Sequence, residues 1–271
     1  MNVSAIIIAA ALIAIVGIIV GIGLGIFGEK FAVEVDPREA EIREVLPGNN
    51  CGGCGFPGCD GCAKAINEGT APVSACPVGQ KPCWDKIASI MGVEAGDQEK
   101  MVAFVKCAGT CEKAPKRYIY TGPDDCNALA PVPGASDKAC SYGCLGHGAC
   151  VKACQFDAIH VVDGVAKVDE SKCTACQACI KTCPKKIIEL VPANKKFRVQ
   201  CVNQDKGKAV MDVCSAGCIG CTLCVKTCEH DAIHMNGNIA AIDYSKCVAC
   251  GACADKCPKR IIRMFGISNE P

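Results

Sequence analysis

An α+β architecture is predicted by three features of the chain: an uncharged apolar run near its start, a ladder of cysteines that occurs twice, and a hairpin pattern inside each copy of that ladder. The apolar run covers residues 4–27. The ladder at 140–183 overlays 214–257 after a shift of 74 residues, and Asp157-Ala158-Ile159-His160 returns as Asp231-Ala232-Ile233-His234. A match held over this length marks one structural unit used twice. Residues 158–162 and 165–168 flank Asp163-Gly164, and 232–235 and 239–242 flank Asn236-Gly237, so each copy predicts two strands joined by a two-residue turn.

The ladder has the spacing of cubane iron-sulfur ligands. In Cys173-x2-Cys176-x2-Cys179-x3-Cys183-Pro184, three thiolates on a tight loop can cap three irons of one 4Fe-4S cube. The fourth lies too far along the chain for that cube and serves a neighbouring one, the cross-over of two-cluster bacterial ferredoxins. The second copy therefore predicts two sets: Cys218, Cys221, Cys224 and Cys257, then Cys247, Cys250, Cys253 and Cys228. Structural zinc would call for two separated CxxC pairs instead. The first copy departs at one position, where His147 stands in place of Cys221's counterpart. Its expected sets are Cys140, Cys144, Cys150 and Cys183, then Cys173, Cys176, Cys179 and Cys154. A histidine ligand at His147, which would raise the cluster potential, is the alternative to Cys140.

Composition agrees with this chemistry. The chain has 271 residues, 27 of them cysteine and only 4% aromatic, so clusters are expected to replace part of an apolar core. Thiols in such triplets point to a reducing compartment rather than to disulfides. A net charge of +1 gives no support to nucleic acid as a partner. Residues 4–27 carry no charge, and about 20 apolar residues suffice for a membrane helix. A cleavable signal would show a basic start and a cut site, neither of which is clear. Gly17, Gly21 and Gly25 recur on one face of that helix. Beyond it, Asp36-Pro37 predicts a helix start, with Glu39 and Glu41 in its first turn and Pro47-Gly48 as its stop.

Cys51-Gly52-Gly53-Cys54-Gly55-Phe56-Pro57-Gly58-Cys59, with Cys76, forms one more closed set of four thiols, and its glycines let the backbone wrap a bulky cube. A helix over 60–68 holds Cys62, read as a spare thiol; zinc is the alternative occupant of this set. Further on, a helix over 97–105 and a strand over 118–120 are expected. Val199-Gln200-Cys201 echoes Val105-Lys106-Cys107, which suggests a sixth site at Cys107, Cys111 and Cys126 with Cys201 or Cys214. Small buried thiols beside the clusters are the alternative. No residue suggests acid-base or nucleophilic catalysis, and no GxGxxG follows a strand, so nicotinamide chemistry is expected on a partner chain. His160 and His234 are expected to pack against their sheets.

A single uncharged span, then CGxCGxPGC with a distant Cys-Pro, then ferredoxin repeats, resembles the B subunit of the Rnf complex, a membrane-bound ion-translocating ferredoxin:NAD oxidoreductase. The resemblance covers nearly the whole chain. It implies one transmembrane helix (1–28), a linker helix (29–48), a small mostly helical 4Fe-4S domain (49–92), a connecting segment (93–139) and duplicated two-cluster ferredoxin-like modules (140–195 and 196–271). It also implies electrons arriving from reduced ferredoxin and partner subunits that bind flavin and NAD; the cysteine sets themselves count to five 4Fe-4S clusters or six, and the uncharged span with oxygen-labile clusters beyond it predicts a single-pass place in the cytoplasmic membrane with the cluster domains on the cytoplasmic side. An anchored polyferredoxin feeding a hydrogenase or another reductase, and a corrinoid or carbon-monoxide iron-sulfur component, are the competing functions. A basic rim could receive an acidic ferredoxin: Lys172, Lys181, Lys185, Lys186, Lys195, Lys196 and Arg198 on one module, Lys246, Lys256, Lys259, Arg260 and Arg263 on the other.

Overall fold

In the computed structural model, described for residues 3–30, 36–96 and 99–265, the chain begins with a 28-residue helix, α1 (Val3–Lys30). Its described side chains, residues 11–27, are apolar and mostly exposed, as at Ile13 (74%) and Leu24 (69%). Among the described residues no helix is long and apolar enough to cross a membrane.

A three-helix unit follows: α2 (Pro37–Val45), α3 (Gly58–Asn67) and α4 (Gln80–Met91). Asp36 caps α2 by accepting the Arg38 N–H at 2.9 Å, and Pro37 occupies the first turn, where a missing N–H costs nothing. Gly92, left-handed at φ 68, terminates α4. Ile42, Cys59, Cys62, Ile66, Cys76, Cys83 and Ile87 form the small core between them.

The segment expected to be helical over 97–105 is instead strand β1 (Met101–Val105); residues 97 and 98 lie outside the described residues. Its run of Val102, Ala103, Phe104 and Val105 is fully buried, and consecutive burial of this kind suits a strand covered on both faces. Residues 118–120 form no strand; an isolated bridge, Lys116 to Lys138, stands nearby.

After α5 (Cys126–Leu129) and α6 (Ala149–Lys152), the first hairpin forms as expected, β2 (Ile159–Val162) against β3 (Val165–Val168). Then come α7 (Ala178–Thr182) and β4 (Ile188–Pro192), which returns to pair antiparallel with β1. The second unit repeats the plan with β5 (Phe197–Val199), α8 (Gly207–Val213), α9 (Leu223–Thr227), the hairpin β6 (Ile233–Asn236) and β7 (Ile239–Ile242), α10 (Ala252–Asp255) and β8 (Ile262–Met264), which pairs with β5. The turn of this second hairpin lies at Gly237-Asn238, one residue later than expected, because Asn236 pairs with Ile239. In each unit the last strand returns to the first. The spacing of the ligand loops leads one to expect short helices after Cys154 and Cys183; they precede them instead, so each presents its distant cysteine at its C-terminal end.

Candidate metal centres

The same left-handed backbone turns recur in both units. Ala175 and Ala249, Asp157 and Asp231, and Lys186 and Arg260 all have φ between 48° and 59°. Such residues cost roughly 1–2 kcal/mol each when not glycine. Their recurrence at matched positions shows that the cysteine loops impose the conformation twice.

Among the described residues, five hollows partly open to solvent are walled by thiols and mostly apolar side chains. One is lined by Cys218, Cys221, Cys224 and Cys257, another by Cys228, Cys247, Cys250 and Cys253, and a third by Cys154, Cys173, Cys176 and Cys179. These groupings coincide with the sets expected from spacing.

The fourth cavity differs from expectation. It gathers Cys126, Cys144, Cys150 and Cys183, so Cys126 arrives from α5 to stand where Cys140 was expected. His147 does not join them. Its Nδ1 lies 2.7 Å from an Asp124 carboxylate oxygen and its ring meets Tyr120 edge-on at 5.6 Å. The backbone N–H groups of His147 and Ala149 instead favour the Cys126 thiolate, against a burial that raises that thiol overall.

The fifth cavity, lined by Cys107, Cys140, Cys201 and Cys214 with Cys144 on its wall, takes the displaced Cys140. Cys126 is absent from it and so is Cys111, which is exposed. In the three-helix unit, Cys54, Cys59 and Cys76 share one core, and Cys51 is half-buried at its edge. Cys62 packs beside them; burial first and then Cys54 push its thiol up to about 12. Cys83 is turned to the Val45 carbonyl at 3.5 Å.

Burial also raises the thiols around the cavities, Cys150 and Cys179 to about 12, Cys224 and Cys253 to about 11, with neighbouring cysteines adding to it. Thiols so placed keep their protons at neutral pH unless a metal replaces them. Among the described residues no three His, Cys, Asp or Glu side chains close on a single ion. The sulfurs ring a space instead, and backbone N–H groups point at them: Ala103 to Cys173 at 3.3 Å, Ala166 to Cys144, Ala158 to Cys154 and Ala232 to Cys228 at 3.4 Å. A donor set of four thiols with N–H groups on sulfur fits an iron-sulfur cube.

The basic residues divide between the interior and the surface. Arg198 is not on a rim: it is 1% exposed, paired with Glu170 and 5.4 Å from the centroids of the Phe104 and Phe265 rings. Lys185, Lys195 and Lys181 reach the carbonyls of Ser141, Cys247 and Gly52, and Lys172 and Lys246 pair with Asp157 and Asp231. Lys256, Arg260 and Arg263 are exposed. His160 and His234 are half-exposed beside Asp157 and Asp231 rather than packed on their sheets.

Comparison with known proteins adds three family matches: an Fe-S cluster domain over residues 46–78, a 4Fe-4S binding domain over 166–189 and a 4Fe-4S dicluster domain over 217–261. The chain is 50% identical over 96% of its length to the B subunit of the Na(+)-translocating ferredoxin:NAD(+) oxidoreductase complex of Acetobacterium woodii, spanning 78% of that protein. It is 41% identical to the B subunit of the ion-translocating oxidoreductase complex of Methanosarcina acetivorans, covering 94% of this chain and 96% of that one. Against the B subunit of the proton-translocating ferredoxin:NAD(+) oxidoreductase complex of Clostridium ljungdahlii the identity is 39%, over 92% and 89%.

Proposed function

Because the chain belongs to the family of B subunits of ion-translocating ferredoxin:NAD(+) oxidoreductase complexes, and is an iron-sulfur electron-transfer subunit of such an oxidoreductase, we propose that it takes electrons from reduced ferredoxin and relays them along a file of 4Fe-4S sites to partner subunits. Five ligand sets carry the proposal: Cys51, Cys54, Cys59 and Cys76; Cys154, Cys173, Cys176 and Cys179; Cys126, Cys144, Cys150 and Cys183; Cys218, Cys221, Cys224 and Cys257; and Cys228, Cys247, Cys250 and Cys253. A cube bound by four thiolates accepts and releases one electron at a time at a potential tuned by charge, solvent and hydrogen bonds to its sulfurs.

The observation that carries this reading is the nearness of successive sets: the backbone at Gly53 packs on that of Cys176, and thiols of one set act electrostatically on those of the next. Cys176 is raised by burial and then by Cys51, of the N-terminal set. Cys150 feels Cys179 of the next set, and Cys253 feels Cys224. Apolar side chains, Ile188, Ile261 and Ile233 among them, line the cavities around the sulfurs. One end of the file is the three-helix unit that follows α1. At the other, Cys250 is exposed and Lys256, Arg260 and Arg263 lie nearby in the chain, a charge that suits an acidic donor.

In the same reading α1 is a single membrane span and the cluster units lie on the cytoplasmic side. In support, 28 helical residues extend about 42 Å against a hydrocarbon core of about 30 Å. An exposed apolar helix surface is unfavourable in water and expected in lipid.

The test is anaerobic purification of the whole chain, followed by metal analysis and titration with reduced ferredoxin. Iron with equimolar labile sulfide, and bleaching of the visible absorbance on adding reduced ferredoxin, are expected. Zinc in place of iron would overturn the assignment.

A further inference from the structure

In the second unit Cys221 lines a thiol cavity, and the residue 74 positions earlier is His147. His147 lies outside the corresponding cavity of the first unit, which takes Cys126 instead. Yet its side chain is nearly enclosed, 12% exposed, and is held from three sides. Nδ1 is 2.7 Å from an Asp124 carboxylate oxygen, Nε2 is 3.6 Å from one of Asp137, and the Tyr120 ring meets the imidazole edge-on. All three partners belong to one loop, the one that carries Cys126. That loop is closed at its base by the bridge between Lys116 and Lys138 and by a 2.8 Å ion pair from Lys116 to the fully buried Asp137. Asp124 lies two residues before Cys126, and Asp125 between them caps α5 by accepting the Asn127 N–H at 2.7 Å. The imidazole therefore touches this loop at its base, at Tyr120 and at the turn that delivers Cys126.

We infer that His147 is a positioning residue: standing where the second unit has a ligand, it seats the substitute, Cys126, beside Cys144, Cys150 and Cys183. The inference rests on the five-site reading above and adds how one cysteine from outside the ladder comes to complete a set. The backbone around His147 is shaped for this role. Gly146 and Gly148, at φ 80 and φ 69, turn the chain on either side of it, and a Cβ on Gly146 would stand 2.5 Å from the Gly164 carbonyl oxygen. The turn directs the N–H groups of His147 and Ala149 toward the Cys126 sulfur. An N–H on a ligand sulfur offsets the negative charge that reduction adds, so it favours the reduced cluster. From α6, Lys152 donates to the Asp124 carbonyl at 2.6 Å and holds the same turn. Leu129, Leu145 and Ala149 already confine Cys126 by packing. Loss of the imidazole should therefore change how the sulfur is aimed, and with it the potential of one cluster, while the iron stays.

The test is redox titration of the full-length chain, loaded without air and followed by magnetic resonance, in His147→Ala and His147→Asn. The signal to follow is the one that Cys126→Ala removes. In His147→Ala the ratio of reduced to oxidised form of that cluster, at a fixed potential, should fall about tenfold, or about 59 mV for one electron, while the other clusters hold. His147→Asn should recover most of this, because its amide can still donate to Asp124. Wild-type potentials throughout His147→Ala would overturn the inference. So would a shift that His147→Asn leaves in place, since the cause would then be the imidazole itself and not its hold on Asp124. Should His147→Ala fail to fold, Asp124→Ala on an exposed residue decides the matter by sign. Loss of a negative charge alone makes the cluster easier to reduce, whereas loss of the hold makes it harder; a cluster that becomes easier to reduce, or does not move, overturns the inference. A chain without iron would instead end the five-site reading itself.

Discussion

A Cβ placed on Gly53 would stand 2.8 Å from the carbonyl oxygen of Cys176. At that point the N-terminal cysteine loop meets the first ferredoxin-like unit. Gln177 and Lys181 secure it by donating to the Gly53 and Gly52 carbonyls at 3.4 and 3.3 Å. Glycine is required because backbone, not a movable side chain, fills the space. Gly53→Ala should destabilise the contact by about 1–3 kcal/mol, the usual cost of overpacking, without loss of iron. Guanidinium unfolding followed by visible absorbance checks this; an unchanged midpoint, with normal reduction of the N-terminal site, would mean the loops do not meet.

The exchange of Cys126 for Cys140 gives a sharper contrast. Cys126→Ala should remove about four irons per chain, whereas His147→Ala should leave the iron content unchanged, because His147 engages Asp124 and Tyr120 rather than the thiol cavity. Iron loss on His147→Ala, with Cys126→Ala fully loaded, would restore the histidine ligand.

The contrast also shows what the sequence could reveal. The second ladder is local: its triplets and their exchanged fourth cysteines gather as their spacing predicts, since each loop is too short to arrange them otherwise. Cys126 is not local. It reaches its cavity from α5, on a segment whose position depends on tertiary packing of Leu129, Leu145 and Ala149. The cavity at Cys107, Cys140, Cys201 and Cys214 was half visible, in the echo of Cys107 by Cys201 and of Cys140 by Cys214. What pairs them is the return of β4 to β1 and of β8 to β5. A buried run such as Val102 to Val105 does not distinguish strand from helix by periodicity, so that pairing stayed hidden.

Arg198 joins the two units. Its guanidinium, from β5, pairs with Glu170 and lies 5.4 Å from the rings of Phe104, of β1, and Phe265, which meet edge to face. Arg198→Ala should cost about 3–5 kcal/mol, because it leaves a carboxylate near apolar surface without its partner. Arg198→Lys should recover only part of this, since an ammonium cannot donate to both Glu170 carboxylate oxygens in the fork that the guanidinium makes. Equal stability of Arg198→Lys and wild type would argue against a role for the forked pairing.

Asp157 and Asp231 each pair with a lysine, Lys172 at 2.9 Å and Lys246 at 3.0 Å, and those hydrogen bonds hold both carboxyls below the usual range. A depressed carboxyl contributes stability above its unfolded value, about 3.9, and loses it as pH falls through the folded value. Asp157→Asn with Asp231→Asn should therefore be less stable than wild type at pH 7, with a gap that narrows below about pH 4. Both pairs are solvent-exposed, so the gap should be small and shrink in high salt. A gap that widened on acidification would refute the assignment.

Lys138 bears on potential rather than on loading. It is buried beside Cys107, Cys140 and Cys214, and its ammonium donates to the carbonyls of Gly109 and Gly164. Adding an electron to a four-thiolate cube makes it more negative, so a nearby cation favours the reduced form and raises the midpoint potential. Lys138→Met keeps the length of the side chain and removes the charge. An electrostatic effect on the order of 1–2 kcal/mol at intermediate dielectric corresponds to roughly 40–90 mV for a one-electron couple. A redox titration followed by magnetic resonance should show one cluster moving negative by that amount while the rest hold their potentials. Lys138→Arg should restore it, because the charge returns even though the two carbonyl contacts change. If Lys138→Met and Lys138→Arg titrate alike, the lysine serves packing and its two carbonyls, and its charge plays no part in the potential of any cluster held nearby.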